Sequence, residues 1–261
     1  MKKITKFFLN VTSVASIFSI ATLNALQLTV VGQPTPNVDG QPITQPGRVR
    51  FVGPTEDNLS SPNTRRVGPM HGPMCDDGAN IKLTALVPES LIGRTVSEYP
   101  VFFFYLPQTD AELAELILQD ENGNLIYQQD LTIKNLSGVI GVSITANTNV
   151  PPLEVGKNYT WVFSLVCDPY DRSSDRFQRG VVRRVELSAD ILGELENADP
   201  RQKTLISAEN GIWQDALSTL AAARRANPND PDLAADWESL LDSVRLREIA
   251  KEPIVESEAQ P

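Results

Sequence analysis

The residues Leu153 to Asp168, LEVGKNYTWVFSLVCD, constrain the fold of this chain more than any other stretch, because a turn, a strand and a cysteine follow one another without interruption. Tyr159, Trp161, Phe163 and Leu165 fall on one face of a period-2 strand, with Val162, Ser164 and Val166 on the other. A strand with so bulky an apolar face has to be covered by a second layer. Just upstream, Leu153-x-x-Gly156-x-x-Tyr159 has the spacing of a tyrosine corner, in which a tyrosine near the start of a strand bonds back to the preceding turn. Both features point to a β-sandwich.

Short strands recur at the spacing such a fold needs. Ile81–Val87 alternates, Val101–Leu106 is a dense aromatic run between Pro100 and Pro107, and Glu115–Gln119 and Leu125–Leu131 bracket Glu121-Asn122-Gly123-Asn124. Asn-Gly between apolar runs predicts a hairpin with positive φ at both turn residues. Val139–Thr145, Tyr159–Cys167 and Val181–Leu187 complete seven strands. Labelled A, B, C, C′, E, F and G, they predict a seven-strand immunoglobulin-like or fibronectin-like β-sandwich over 79–187. Its aromatic strands B and F would face each other through the core. Phe102, Phe104, Trp161 and Phe163 therefore read as packing residues and not as a sugar-stacking shelf.

After Leu187 the apolar period changes to 3.6. Ser188 caps a first helix, Asp199-Pro200 opens a second with the acid at N-cap, and Gly211 ends it. Ile212, Ala216, Leu217, Leu220 and Ala223 form the stripe of a third helix. Asn227-Pro-Asn-Asp-Pro231 leads to a fourth, carrying Leu233, Trp237, Leu240 and Leu241. The segment 188–251 resembles about one and a half tetratricopeptide units, too few to stand alone, and is expected to cap the sandwich. An acidic tail over 252–261 is expected to be disordered.

The N-terminus bounds the compartment. Lys2, Lys3 and Lys6 precede an apolar run from Phe7 to Leu23 ending at Asn24-Ala25, which reads as a signal peptide over 1–25. An uncleaved anchor is the alternative, but Asn10, Thr12, Ser13 and Ser16 dilute the run. No further segment is apolar enough to span a bilayer. Residues 26–78 are rich in Pro, Gly, Asn and Gln and read as a disordered spacer. The net charge of -10 argues against a nucleic-acid partner.

Several blocks occur together in order: Leu83-Thr-Ala-Leu-Val-Pro88, Pro100-Val-Phe-Phe-Phe-Tyr-Leu-Pro107, Ser164-Leu-Val-Cys-Asp168 with Asp171-Arg-Ser-Ser-Asp175, and Gly211-Ile-Trp-Gln-Asp-Ala-Leu217. Over about Cys75 to Ala250 the chain resembles the domain of unknown function family numbered 928, found in exported proteins of photosynthetic bacteria. The resemblance implies export and this architecture, and it implies no activity.

Two cysteines in an exported chain suggest a disulfide, and in an immunoglobulin-type order Cys75, ahead of strand A, and Cys167, at the end of F, share a pole. The same pole should gather Asp76, Asp77, Asp110, Glu112, Asp168, Asp171 and Asp175. The plainer reading is a solvated turn balanced by Arg172, Arg176 and Arg179. The sharper one is a calcium site at Asp76, Asp77, Asp168, Asp171 and Asp175. His71, in a Gly-Pro loop without a neighbouring acid or nucleophile, reads as a bystander. With no phosphate loop, nucleophile elbow or histidine metal motif, the expected function is a non-catalytic binding or scaffold module without a cofactor, serving an envelope protein or a surface polysaccharide. The alternative is a polysaccharide hydrolase working through acids such as Asp168 and Asp171.

Overall fold

The computed structural model describes residues 47–54, 75, 82–144, 150–256 and 258–259. The expected leader 1–25, His71, Asp76, Asp77 and most of the spacer lie outside them. All described residues belong to one compact unit, 45–261.

Among the described residues, ten strands form two sheets. They are β1 (Thr84–Ala85), β2 (Ile92–Thr95), β3 (Val101–Leu106), β4 (Leu113–Gln119), β5 (Leu125–Thr132), β6 (Gly138–Ser143), β7 (Asn158–Val166), β8 (Arg176–Arg184), β9 (Ile254–Val255) and β10 (Glu258–Ala259). One sheet has the order β1-β3-β6-β9 and the other β10-β5-β4-β7-β8-β2. The helices α1 (Ala189–Asn197), α2 (Pro200–Glu209), α3 (Trp213–Ala226) and α4 (Pro231–Asp242) follow β8 in the chain.

The continuous apolar run of β3 has a simple cause: both its faces are covered. Phe102 and Phe104 point at β7, where Phe104 stacks on Phe163 with ring centroids 3.9 Å apart and meets Trp161 edge-on at 5.6 Å. Phe103 and Tyr105 point the other way and join Trp213, Leu217, Leu220 and Trp237 in a second core beneath the helices. Each such ring or aliphatic side chain removed from water contributes about 1.5–3 kcal/mol. The Trp213 indole N–H donates to the Leu86 carbonyl at 2.7 Å, which fixes the helical layer against the four-stranded sheet.

The helix termini follow the sequence signals. Ser188 caps α1, and Asp199 with Gln202 forms a reciprocal capping box at α2, with Pro200 in the first turn. Asp230 accepts from the N–H groups of Asp232 and Leu233 at the start of α4. Gly211 adopts φ +72° between α2 and α3, and an added Cβ would lie 3.3 Å from the Val52 carbonyl oxygen.

Four expectations are corrected. The Asn122-Gly123 turn has positive φ only at Gly123, because the loop spans Asp120 to Asn124. The Asp120 carboxylate organises it by accepting from the Asn122 and Asn124 N–H groups at 2.9 and 2.8 Å. Second, β2 is an additional strand, pairing in parallel with β8. Four residues with a central Gly93 give too little pattern to be read from sequence. Third, the tail over 252–261, expected to be disordered, pairs twice: Ile254–Val255 lies parallel to β6 and Glu258–Ala259 antiparallel to β5. Sheet edges carry open N–H and C=O groups that any extended segment can satisfy.

Fourth, the spacer expected over 26–78 contains a docked segment at 47–54. Val49 is fully buried, Phe51 meets Trp213 edge-on at 5.1 Å, and the Val52 N–H donates to the Ala208 carbonyl at 3.0 Å. Arg48 sits 3.7 Å from the fully buried carboxylate of Asp236, which also pairs with Arg201. Val49 and Phe51 alternate, but only the helical layer gives them a surface to bury against.

Candidate site at the disulfide pole

The cysteines meet. Cys75 and Cys167, 92 residues apart, are joined by a disulfide with a Cα–Cα distance of 5.3 Å. The Cys75 carbonyl accepts from the Asp110 N–H at 3.0 Å and from the Thr109 hydroxyl at 2.6 Å. The chain ahead of β1, the β3–β4 connection and the β7–β8 connection therefore converge at one pole.

The acids gathered there are used locally. Asp175 is 5% exposed; its Oδ1 accepts from the Cys167 N–H at 3.1 Å and its Oδ2 pairs with Arg172. The Arg172 guanidinium also reaches Glu115 at 3.1 Å, and the bond to Asp175 holds its pKa above the ordinary arginine value. Asp171 caps a 3-10 turn over Arg172–Ser174 by accepting from the Ser173 N–H at 3.0 Å. Hydrogen bonds from Ser173 keep the Asp171 carboxyl below the usual aspartate range. Asp168 accepts from the Tyr170 N–H at 2.8 Å. Asp110 is exposed, and Glu112 pairs with Lys134.

This geometry suits a stiff turn, in which Arg172 offsets Asp175 and Glu115 while Asp168 and Asp171 are held by backbone N–H groups. A hard cation such as calcium takes six to eight oxygens, and a carboxylate oxygen committed to a guanidinium or a backbone N–H has little left to offer it. Among the described residues there is no group of three or more His, Cys, Asp or Glu side chains placed to hold a metal.

At the opposite end of β7, the Tyr159 hydroxyl accepts from the Glu154 N–H at 3.0 Å. Gly156 adopts φ +81°, its N–H donates to the Arg184 carbonyl at 2.7 Å, and Arg184 Nη1 donates to the Leu153 carbonyl at 2.6 Å. Leu153, Gly156 and Tyr159 thus lock the turn that aims β7, and their role is structural.

One feature of the pole escapes sequence reading. Tyr170 is 99% exposed at the tip of the β7–β8 connection, on backbone tied down by Asp168, Asp171 and the disulfide. The available signal was an aromatic in Asp168-Pro-Tyr-Asp-Arg172, a polar loop that offers it no apolar neighbour.

No curated protein and no solved structure matches this chain. A family model described as Domain of Unknown Function (DUF928) matches residues 61–254, well over half of the sequence, and the chain belongs to that family.

Proposed function

We propose that this protein is an exported, non-catalytic binding module of the cell envelope that engages a partner protein through the disulfide pole. The observation that carries the reading is Tyr170, a fully exposed aromatic on a turn held by hydrogen bonds, an ion pair and a disulfide. Tyrosine supplies a large contact area at small entropic cost and is enriched among residues that dominate binding energy. Export rests on the leader at 1–25 and on a disulfide that persists only outside a reducing compartment.

The fold supports the same reading. Within the two sheets, the neighbours β1-β3-β6 and β5-β4-β7-β8 resemble the A-B-E and C′-C-F-G order of immunoglobulin-like and fibronectin-like sandwiches, with β2, β9 and β10 added at the edges, and in such sandwiches the pole loops commonly carry recognition. The helices α2 to α4 resemble tetratricopeptide helices joined by the turns at Gly211 and Asn227–Asp230. The apolar stripe of α3 is spent on the four-stranded sheet, so recognition is assigned to the loops and not to a helical groove.

The test uses the full mature chain as bait in cross-linked envelope extract, beside a Tyr170→Ala variant. Tyr170→Ala should abolish capture while its melting midpoint stays within about 1 °C of the parent, since truncating an exposed side chain is close to neutral for folding. Undiminished capture by the variant sinks the proposal. Retention on a polysaccharide column that depends on Tyr170 would redirect the partner to surface sugar. Polysaccharide cleavage lost in Asp168→Ala and Asp171→Ala would establish the hydrolase reading instead.

A further inference from the structure

Residues 47–54 lie on the helical layer in the manner of a bound peptide. They form neither helix nor strand. Val49 and Phe51 turn toward the helices while Arg50 and Val52 are exposed, the alternation of an extended chain. Val49 is the one buried residue of the segment. The other anchors are the Arg48 guanidinium, 3.4 Å from Asp232 and 3.7 Å from Asp236, and the Phe51 ring, edge-on to Trp213. Two main-chain bonds complete the contact: the Phe51 N–H donates to Ser243 Oγ and the Val52 N–H to the Ala208 carbonyl, each at 3.0 Å. Side-chain anchors at alternate positions with main-chain bonds between them are a general mode of recognising extended peptides.

Two observations assign the acceptor surface to the domain independently of the segment it holds. The family match covers 61–254, so Ala208, Trp213, Asp232, Asp236 and Ser243 lie inside it and residues 47–54 lie outside. The surface is also acidic beyond its own needs. Arg201 bonds both oxygens of the buried Asp236 carboxylate, at 2.5 and 3.2 Å. Among the described residues, the ion-pair partner of Asp232 is Arg48, which the segment brings.

We propose that this face of α2, α3 and α4 is an acceptor site for an extended segment of a partner protein with the pattern Arg-apolar-x-aromatic, and that residues 47–54 are its resident occupant. The arginine answers Asp232 and Asp236, the apolar residue takes the place of Val49, and the aromatic ring meets Trp213. The third position is unrestricted, because Arg50 is exposed. The site is separate from the disulfide pole and is closed while the segment is docked, which leaves recognition by the resting chain to the loops. A tethered occupant competes at an effective concentration of about 1 mM, so a free peptide at micromolar levels enters only when the segment is loosened.

The experiment measures fluorescence anisotropy of a labelled peptide, Gly-Arg-Val-Arg-Phe-Val-Gly-Pro, titrated with the full mature chain and with an Arg48→Ala/Phe51→Ala variant whose circular dichroism matches the parent. The variant should bind the peptide saturably and at least tenfold more tightly than the parent does. A scrambled peptide, and peptides with alanine in place of the first arginine or of the phenylalanine, should bind the variant at least tenfold more weakly. Adding Asp232→Lys, at an exposed side chain, should also weaken binding at least tenfold. The single Phe51→Ala variant carries the same comparison if the double variant does not fold. Absence of saturable binding, equal binding by the parent, or equal binding of the scrambled peptide overturns the proposal and leaves 47–54 a fixed part of the fold. Self-association of the parent that is lost in Phe51→Ala also overturns it, by assigning the acceptor to a second copy of this chain.

Discussion

Gly180 offers the sharpest test of how the sheets pack. A Cβ added there would lie 2.2 Å from Trp161 Cζ2, 2.6 Å from Cε2 and 2.8 Å from the Leu91 carbonyl oxygen. None of these can yield easily. Trp161 is fully buried against Phe102 and Phe104, and Leu91 O is already the acceptor for the Val181 N–H that ties β2 to β8. Restoring an ordinary carbon–carbon separation of about 3.5 Å requires a shift of roughly 1 Å in the ring or the strand. Overpacking of this kind costs about 1–3 kcal/mol and sometimes more. The stiffer unfolded chain of alanine returns only about 0.4–1 kcal/mol. With an approach of 2.2 Å the cost lies at the upper end of that range, so Gly180→Ala should destabilise by about 2 kcal/mol net, a fall of about 4–8 °C in midpoint for a chain of this size. The assay is urea and thermal unfolding followed by far-ultraviolet circular dichroism, in a cycle with Trp161→Phe. The indole N–H of Trp161 has no hydrogen-bond partner, so phenylalanine relieves the clash without removing a bond. The double variant should be more stable than the sum of the single losses predicts, by about 1 kcal/mol or more. A Gly180→Ala variant within about 0.5 kcal/mol of the parent, or strict additivity, would refute the reasoning.

Other perturbations have defined outcomes. Replacing Cys75 and Cys167 by serine releases a loop spanning 92 residues and should lower unfolding free energy by about 4–5 kcal/mol, read as the urea midpoint with and without reductant. A loss below about 1 kcal/mol would mean that the loop is held closed by other contacts. Asp175→Ala strips Arg172 and the Cys167 N–H of one acceptor carboxylate and should cost about 2 kcal/mol in denaturant unfolding, more than Tyr170→Ala on the same loop. The Asp120 carboxyl is held below the ordinary aspartate range, chiefly by the Asn124 side chain. Its folded pKa lies below its unfolded one, so its contribution is present above the unfolded value and lost as pH falls through the folded value. A carboxyl-detected titration should show the low pKa, and Asn124→Ala should move it upward; an unmoved pKa would contradict this account of the loop.

How much of this was legible in the sequence varies with the origin of the signal. The strands β3 and β7 stand where the alternation of Phe102, Phe104, Trp161 and Phe163 put them, and all four rings lie in one core. The first half of β8 was not legible, because the residues it turns inward are Arg176, Gln178 and Gly180, none of which reads as a core face. Helix ends were readable because capping is local chemistry: Ser188, Asp199 and Asp230 each bond to N–H groups within three residues. The pole was half legible. Cysteine parity and strand order joined Cys75 to Cys167, but nothing local says which oxygen of Asp175 serves Arg172 and which the Cys167 N–H.

The sequence by itself therefore determined the alternating cores, the caps, the change of period at Leu187 and the pairing of two distant cysteines. These depend on side-chain periodicity and short-range bonding, or, for the cysteines, on the order of the strands. Only the tertiary structure decided that residues 47–54 dock beneath the helices, that the tail closes an edge of each sheet, and that the Asp215 carboxylate at the start of α3 accepts from Thr95 and Val96 at the end of β2. Each of these requires two surfaces far apart in the chain to meet, and the free energy that selects them does not exist until both have formed.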